Sequence, residues 1–313
     1  MSVSVVGSIA FDAVQTPHGG RERMLGGAAV HFALAASFFD EVRVVGPVGD
    51  DFGDDEYAVL HARNVNTDDI EHVEGGKTFF WKGVYSHNMN SRETLETDLN
   101  VFETFQPKLS DAARDCDVLF LANILPELQL DVRRQCAGAK FVALDSMDLW
   151  INIAREKLIA AIETVDCVIL NDSEVELFTG EREIVQGARR ILELGPSAMV
   201  VKLGKYGAAL VTAEDSFWVP AFPVSLVADP TGAGDSFAGG LVGAIASAVR
   251  AGEDVTPQTM RLAMAYGTAL ASYNVEEFGT ERVARLTGDE VVERVKELQR
   301  ITAFDAETKL ALT

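Results

Sequence analysis

The chain has 313 residues, with 27 Lys and Arg against 48 Asp and Glu, a formal charge of −21, and 48% hydrophobic residues. That mixture belongs to globular proteins and excludes a disordered or fibrous chain. The acid excess argues against nucleic acid and against an anionic membrane surface as partners, because both attract cationic faces.

Taken in chain order, short apolar runs rich in β-branched residues recur at 3–6, 42–45, 118–122, 141–144, 167–170, 199–201 and 208–211. Helix-length segments at 28–39, 54–63, 155–164 and 183–194 lie among them. Buried strands alternating with helices predict an α/β fold: a doubly wound, mostly parallel sheet flanked by helices, with right-handed crossovers. Two segments, about 11–24 and 77–102, break the rhythm with Thr, aromatic and turn residues. They are expected to pair as a small antiparallel β-sheet lid beside the core. No linker or repeat divides the chain, which reads as one domain over 1–313.

Only nine of the 27 cations are Lys, so the surface reads as carboxylate-rich. That fits a high-salt source and an ordinary acidic protein alike. Cys116, Cys136 and Cys167 have no CxxC spacing and read as reduced structural thiols. The N-terminus lacks a basic n-region. The charge-free stretch 236–249 falls short of the ~20 residues that span a bilayer. A soluble cytoplasmic protein is expected.

Polar residues stand just beyond the carboxyl ends of the expected strands. Gly7 and Asp12 follow the first, Asn123 and Glu127 follow 118–122, and Asp145 follows 141–144. Asn171 and Glu174 follow 167–170, and Gly204 follows 199–201. Ligands bind at that edge of open α/β sheets, so these residues are expected to converge on one site.

The sharpest segment runs from Ala228 through Asp229-Pro230-Thr231-Gly232-Ala233-Gly234-Asp235 to Gly240. Residues 224–227 before it read as a strand. The helix after it has Ala238, Leu241, Val242, Ile245 and Val249 on one face. A glycine loop thus opens into a helix N-terminus, where free N–H groups and the helix dipole suit phosphate or developing negative charge. Asp235 in the first turn reads either as a cap or as a base taking the proton of a hydroxyl that attacks phosphorus. The glycines, Thr231 and Asp229 beside it favour the base. Gly76-Lys77-Thr78 mimics the end of a phosphate-binding P-loop, but Glu71 stands where that motif needs its first glycine.

Gly26-Gly27 opens a small-residue helix that contains His31. The pair reads as tight packing, or as a pocket where a polyol approaches the backbone and Asp12 accepts its hydroxyls. In Asn171-Asp172-Ser173-Glu174-Val175-Glu176, Ser173 and Glu176 match a capping box. That leaves Asn171 for a phosphate oxygen and Glu174 for Mg²⁺ through water. Lys202-Leu203-Gly204-Lys205-Tyr206-Gly207 reads as a hairpin turn or a bed for a nucleotide.

On these residues, above all Asp229 to Asp235, the sequence resembles the ribokinase-like (PfkB-type) carbohydrate kinases, from Gly7 to about Gly279. The resemblance implies transfer of the ATP γ-phosphoryl group to a hydroxymethyl group of a small sugar or sugar-like substrate, with Mg²⁺. It implies Asp235 as base, with Gly232, Ala233 and Gly234 as anion hole. Asn171 and Glu174 match the magnesium–phosphate motif, and Gly204 and Gly207, beside Lys202, the nucleotide turn. Asp229 and Thr231 match positions that hold a monovalent cation such as K⁺. Asp12, Gly27 and Glu127 correspond to sugar contacts, and Gly26, His31 and Asn123 join them as substrate-side candidates. Relatives carry Asn where this chain has His31, and Phe79, Phe80 and Trp81 in the lid suit a ligand with a flat or apolar part. A nucleoside kinase of the adenosine, cytidine or inosine type is therefore the alternative. A catalytically silent sensing protein is the remote one, since it has no need of an intact Gly-Ala-Gly-Asp. An unpaired lid edge points to a homodimer.

Overall fold

The computed structural model describes residues 2–89 and 91–304. Residues 1, 90 and 305–313, which the expected domain span and the second lid segment include, lie outside the described residues. The chain begins β1 (Val3–Val6), β2 (Ala10–Thr16), β3 (Gly19–Gly26), α1 (Ala28–Ala36), β4 (Val42–Val48), α2 (Asp54–His61), β5 (Ile70–His72), β6 (Phe79–Tyr85) and β7 (Arg92–Asp98). It continues α3 (Asp111–Arg114), β8 (Val118–Leu121), α4 (Pro126–Gln135), β9 (Phe141–Asp145), α5 (Asp148–Ile153), α6 (Arg155–Ile162), β10 (Cys167–Asn171), α7 (Asp172–Thr179) and α8 (Ile184–Leu192). It closes with β11 (Ala198–Lys202), β12 (Ala208–Thr212), β13 (Ser216–Val219), α9 (Ala233–Arg250), α10 (Pro257–Asn274), α11 (Glu281–Ala284) and α12 (Gly288–Thr302).

Nine strands form the main sheet in the order β13-β12-β11-β10-β9-β8-β1-β4-β5. All pair in parallel except β11–β12 and β12–β13, whose short connections cannot make a crossover. The turn at 202–207 is therefore a hairpin turn, one of its two sequence readings. The parallel strands do not alternate, because both faces are covered. On one face Val3, Val5, Val44, Phe120 and Ile169 pack against α1, α9 and α10. On the other, Leu119, Leu121, Leu144 and Leu170 pack against residues of α4 to α8 such as Val132, Leu158 and Ile191. The chain leaves β1 toward β4 and returns on the other side through β8, so the order reverses between β1 and β8. A crevice opens at the carboxyl ends of strands at such a point.

Residues 224–227, expected as a strand, join no ladder. Pro223 offers no N–H and Leu226 is 49% exposed. A second sheet has the order β3-β2-β6-β7 and is the expected lid. Its two hairpins are antiparallel, but they join through a parallel β2–β6 pairing, because β2 leaves the core in the direction in which β6 also runs. That register sets Trp81 directly beside Asp12, on the same face of the lid.

Helix α1 is apolar on every side except for His31, and Ala29 to Ala36 are all buried. A helix of that composition is stable only when enclosed. It is held between the sheet, where Phe32 stacks on Phe120 at 4.2 Å, and α9. A Cβ on Gly239 would stand 2.3 Å from the Phe32 carbonyl oxygen, and one on Gly243 3.0 Å from the Ala36 Cα. The two helices therefore touch backbone to backbone. Gly239→Val should destabilise the protein by about 1–3 kcal/mol through overpacking, read as a lower urea midpoint; an unchanged midpoint would contradict this seam.

Candidate active site

Gly232 caps α9 with φ +74°, a left-handed conformation that glycine adopts without strain. A Cβ there would also lie 2.3 Å from the His31 imidazole. Beneath the loop, Asn274 at the end of α10 is fully buried. Its Nδ2 donates to the Thr231 carbonyl at 2.7 Å, and its Oδ1 accepts from Ser236 Oγ at 3.0 Å and faces His31 Nδ1 at 3.1 Å. A carbonyl only accepts, so Thr231 fixes the amide's orientation, and Nδ1 of His31 must be the donor. Its Nε2 is then a lone-pair acceptor, buried and without a partner among the described residues. Burial pulls the His31 pKa down to about 4, so the ring is neutral at pH 7.

Asp229 is buried, with Oδ1 accepting the Thr231 N–H at 2.9 Å and Oδ2 the Gly279 N–H at 3.0 Å. Thr231 Oγ1 donates to Tyr85 Oη at 3.2 Å, which ties the loop to lid strand β6. Asp12 on β2 accepts the Gly27 N–H. A Cβ on Gly26 would stand 2.0 Å from Asp12 Oδ2, so that glycine makes room for the carboxylate. Burial, then the charges of Asp229 and Asp235, push the Asp12 pKa up to about 7.

Asp235, half-buried in the first turn of α9, is raised by burial and pulled back by the charges of Lys202 and Arg92. Lys202 ends β11, and its Nζ lies 3.0 and 3.1 Å from the two carboxylate oxygens of Asp145, the last residue of β9. The Cβ position of Gly234 is 3.4 Å from the same Nζ. Burial disfavours the ammonium, but Asp145, Glu174 and Asp235 together outweigh it and hold the Lys202 pKa above the ordinary lysine value. Glu174 is pushed up to about 7 by burial, with Lys202 pulling down and Asp145 pushing up. Asp12, Asp235, Lys202, Asp145 and Glu174 therefore form one electrostatic unit along the sheet edge. A helix N-terminus, a half-buried carboxylate and a buried ammonium together suit the movement of an anionic group toward a hydroxyl.

Several expected roles change. The capping box of α7 is Asn171 with Glu174, not Ser173 with Glu176. Strand β10 runs through Asn171, so the helix starts at Asp172 and the cap falls two residues earlier. Asn171 Oδ1 takes the Glu174 N–H at 2.8 Å and Glu174 Oε2 takes the Asn171 N–H at 2.7 Å. Asn171 Nδ2 and Glu174 Oε1 are outside that box. Asn123 is committed elsewhere: its Oδ1 accepts from Trp150 Nε1 at 2.9 Å and its Nδ2 contacts Met147 sulfur at 3.1 Å. Glu127 stands exposed in the first turn of α4. Gly27 (φ +94°) packs on the Ser8 carbonyl, and Gly207 (φ +102°) on the Val219 carbonyl, whereas Gly204 (φ +55°) has open space beside it. Tyr85, Arg92 and Asn274 were not singled out in the sequence. Of these only Asn274 carried a signal, an amide ending an otherwise apolar helix. The three cysteines are buried and free, as expected. No helix among the described residues is long and apolar enough to cross a membrane.

A family model described as pfkB family carbohydrate kinase matches residues 2–285, and the chain belongs to that family. It is 28% identical over 251 residues to the cytidine kinase of Thermococcus kodakarensis, covering 77% of this chain and 87% of that one. It is 27% identical over 273 residues to the nucleoside kinase of Methanothermobacter thermautotrophicus, covering 85% and 83%. The structure of Burkholderia thailandensis nucleoside kinase in complex with ADP-inosine shares the fold with a TM-score of 0.77 at 18% identity over 95% of both chains. The protein is a kinase of carbohydrates or nucleosides.

Asp12 supplies a pH test. Its folded pKa lies above its unfolded one, so the folded state holds the extra proton, and this contribution to stability is present at acid pH and lost as pH rises toward 7. Asp12→Asn removes that dependence. Its stability gain over wild type should be larger at pH 8 than at pH 5 by about 2 kcal/mol, from ~1.4 kcal/mol per pH unit, in guanidinium unfolding of the unliganded protein. A gain that does not grow with pH would contradict the burial of this carboxyl among acids.

Proposed function

We propose that the chain is a nucleoside kinase that transfers the γ-phosphoryl group of ATP to the hydroxymethyl oxygen of a ribonucleoside-like acceptor, with Asp235 as general base. The observation that carries this is the convergence of Asp235, Lys202 and Asp12, from the start of α9, the end of β11 and the lid, on one sheet edge. The acceptor's hydroxyl proton passes to the Asp235 carboxylate as its oxygen forms the new bond to phosphorus. The bond from phosphorus to the β–γ bridging oxygen breaks, and its electron pair leaves on ADP. Asp235 then gives the proton to solvent. The first amides of α9 and the dipole behind them stabilise the charge on the transferring group.

Bound Mg²⁺ would supply positive charge to offset that of the donor phosphates. Glu174 Oε1 and Asn171 Nδ2, both free of the α7 box, fit that chemistry, since the carboxylate is a hard oxygen donor for metal-bound water and the amide a donor to phosphate. Their acid neighbour Asp145 adds negative potential. Asp229 and Thr231 hold a monovalent cation in this proposal only through lone pairs beyond the two amide bonds that Asp229 already accepts. Asp12 and the neutral His31 both accept hydrogen bonds, which suits an acceptor that presents several hydroxyls.

Two observations favour a nucleoside over a free sugar. The cytidine and nucleoside kinases above are relatives over most of the chain. The half-buried Trp81 lies beside Asp12 on the face of the lid that carries the carboxylate, where it offers a flat base a stacking surface. An ADP-release screen over cytidine, adenosine, inosine, ribose, deoxyribose and fructose, with and without potassium, should give the best nucleoside a kcat/KM roughly tenfold or more above ribose. That ratio follows from the ~1–3 kcal/mol of one stacked base; a sugar as best substrate would overturn the choice of acceptor. Asp235→Asn should lower kcat about 10²–10⁴-fold with ATP binding retained by calorimetry, and an unchanged kcat would remove Asp235 from the chemistry.

A further inference from the structure

We infer that Asp145 is a positioning residue: its carboxylate holds the Lys202 ammonium against the start of α9, where the ammonium meets the transferring phosphoryl group. The inference rests on the reading that phosphoryl transfer takes place at Asp235. Asp145 and Lys202 end two different parallel strands, and their side chains are 5% and 18% exposed. Both oxygens of Asp145 face the same Nζ. The carboxylate is itself anchored, because Oδ1 also accepts the Ser146 N–H at 2.9 Å, and the Asp145 backbone carbonyl accepts from Gln129 Nε2 at 2.9 Å.

A buried pair of this kind is weak evidence for stability, since removing two charges from water offsets most of their attraction. Its geometry does have a consequence for the site. An ammonium carries three donors, and Asp145 takes at most two of them. The third is available on the side where Gly234 stands, whose Cβ position lies 3.4 Å from Nζ, an ordinary contact distance. Without Asp145, a four-carbon side chain between Glu174 and Asp235 could pair with either. Paired with Asp235, it would compete with the hydroxyl proton for the base. Asp145 keeps Lys202 away from that carboxylate and facing the amides that hold the anion.

A double-mutant cycle on steady-state kinetics tests this, with cytidine or the best acceptor of the screen as substrate. Lys202→Met should lower kcat about 100-fold, the loss typical of one oriented charge donor. Asp145→Asn should lower it about 10- to 100-fold through misplacement, with acceptor KM little changed. In the Lys202→Met background Asp145→Asn should change kcat by less than about twofold, because a residue that acts only through its partner is non-additive with it. Asp145→Glu should restore part of the loss. An equal loss from Asp145→Asn with and without Lys202 overturns the inference. So does a loss that appears as a raised Mg²⁺ requirement, which would make Asp145 a metal-side group. Lys202→Met leaves Asp145 buried without its cationic partner; if it fails to fold, Lys202→Gln takes its place, since its neutral amide can donate a hydrogen bond to Asp145 but carries no charge to the phosphoryl group, and the same pattern is expected. Asp235→Asn measured alongside separates the two claims: retained turnover there removes the base, whatever the cycle gives.

Discussion

Too many acids in too little water is the constraint on which the rest of this structure depends. Asp12, Asp145, Glu174, Asp229 and Asp235 lie close enough along one sheet edge to act on one another. Desolvation alone would protonate several of them, and Asp12 and Glu174 are already pushed to about 7. In the proposed mechanism Asp235 has to remain a proton acceptor in that company. The buried Lys202, with Arg92 reaching in from the lid, opposes the effect of burial on Asp235. A phosphorylated donor and its metal would enter this arrangement as further charge, which in the proposed mechanism couples binding and proton transfer through the same ammonium.

The scaffold makes such a cluster tolerable by taking each charge from a different element. Strand ends supply Asp145 and Lys202, a helix start supplies Asp235, a capping box orients Glu174, and the lid carries Asp12. Only Asp12 lies inside a strand, and there the β2–β3 register shifts between Asp12 and Val14. The one polar residue inside the apolar helix α1, His31, is held through Asn274, which also holds Ser236 and the Thr231 carbonyl. The backbone contact between α1 and α9 therefore fixes the glycine loop from below, while Tyr85 fixes it from the lid.

Much of this was legible from residue pattern. Unbroken apolar runs mark strands covered on both faces, and Asp229 to Asp235 announce a loop that opens into a helix. The polar residues past each strand end mark the sheet edge at which open α/β folds take their ligands. What pattern does not carry is pairing. The run at 224–227 looks like a strand because β-propensity is local, yet it pairs with no neighbouring strand among the described residues. Ser173 and Glu176 satisfy the spacing of a capping box, but the true start of α7 depends on where β10 ends. Asn123 has the composition of a substrate ligand, and only packing shows it held by Trp150 and Met147. Likewise Asp145 was visible as a strand-end acid, while its pairing with Lys202 belongs to tertiary structure.

The most direct measurement is a crystal structure of the protein with a non-hydrolysable ATP analogue, Mg²⁺ and a nucleoside. The acceptor's hydroxymethyl oxygen should lie within about 2.6–3.2 Å of an Asp235 carboxylate oxygen, the reach of a general base, with the terminal phosphate between that oxygen and Lys202. A nucleoside seated with its hydroxymethyl group turned away from Asp235, or a terminal phosphate bound out of reach of Lys202, would contradict the mechanism.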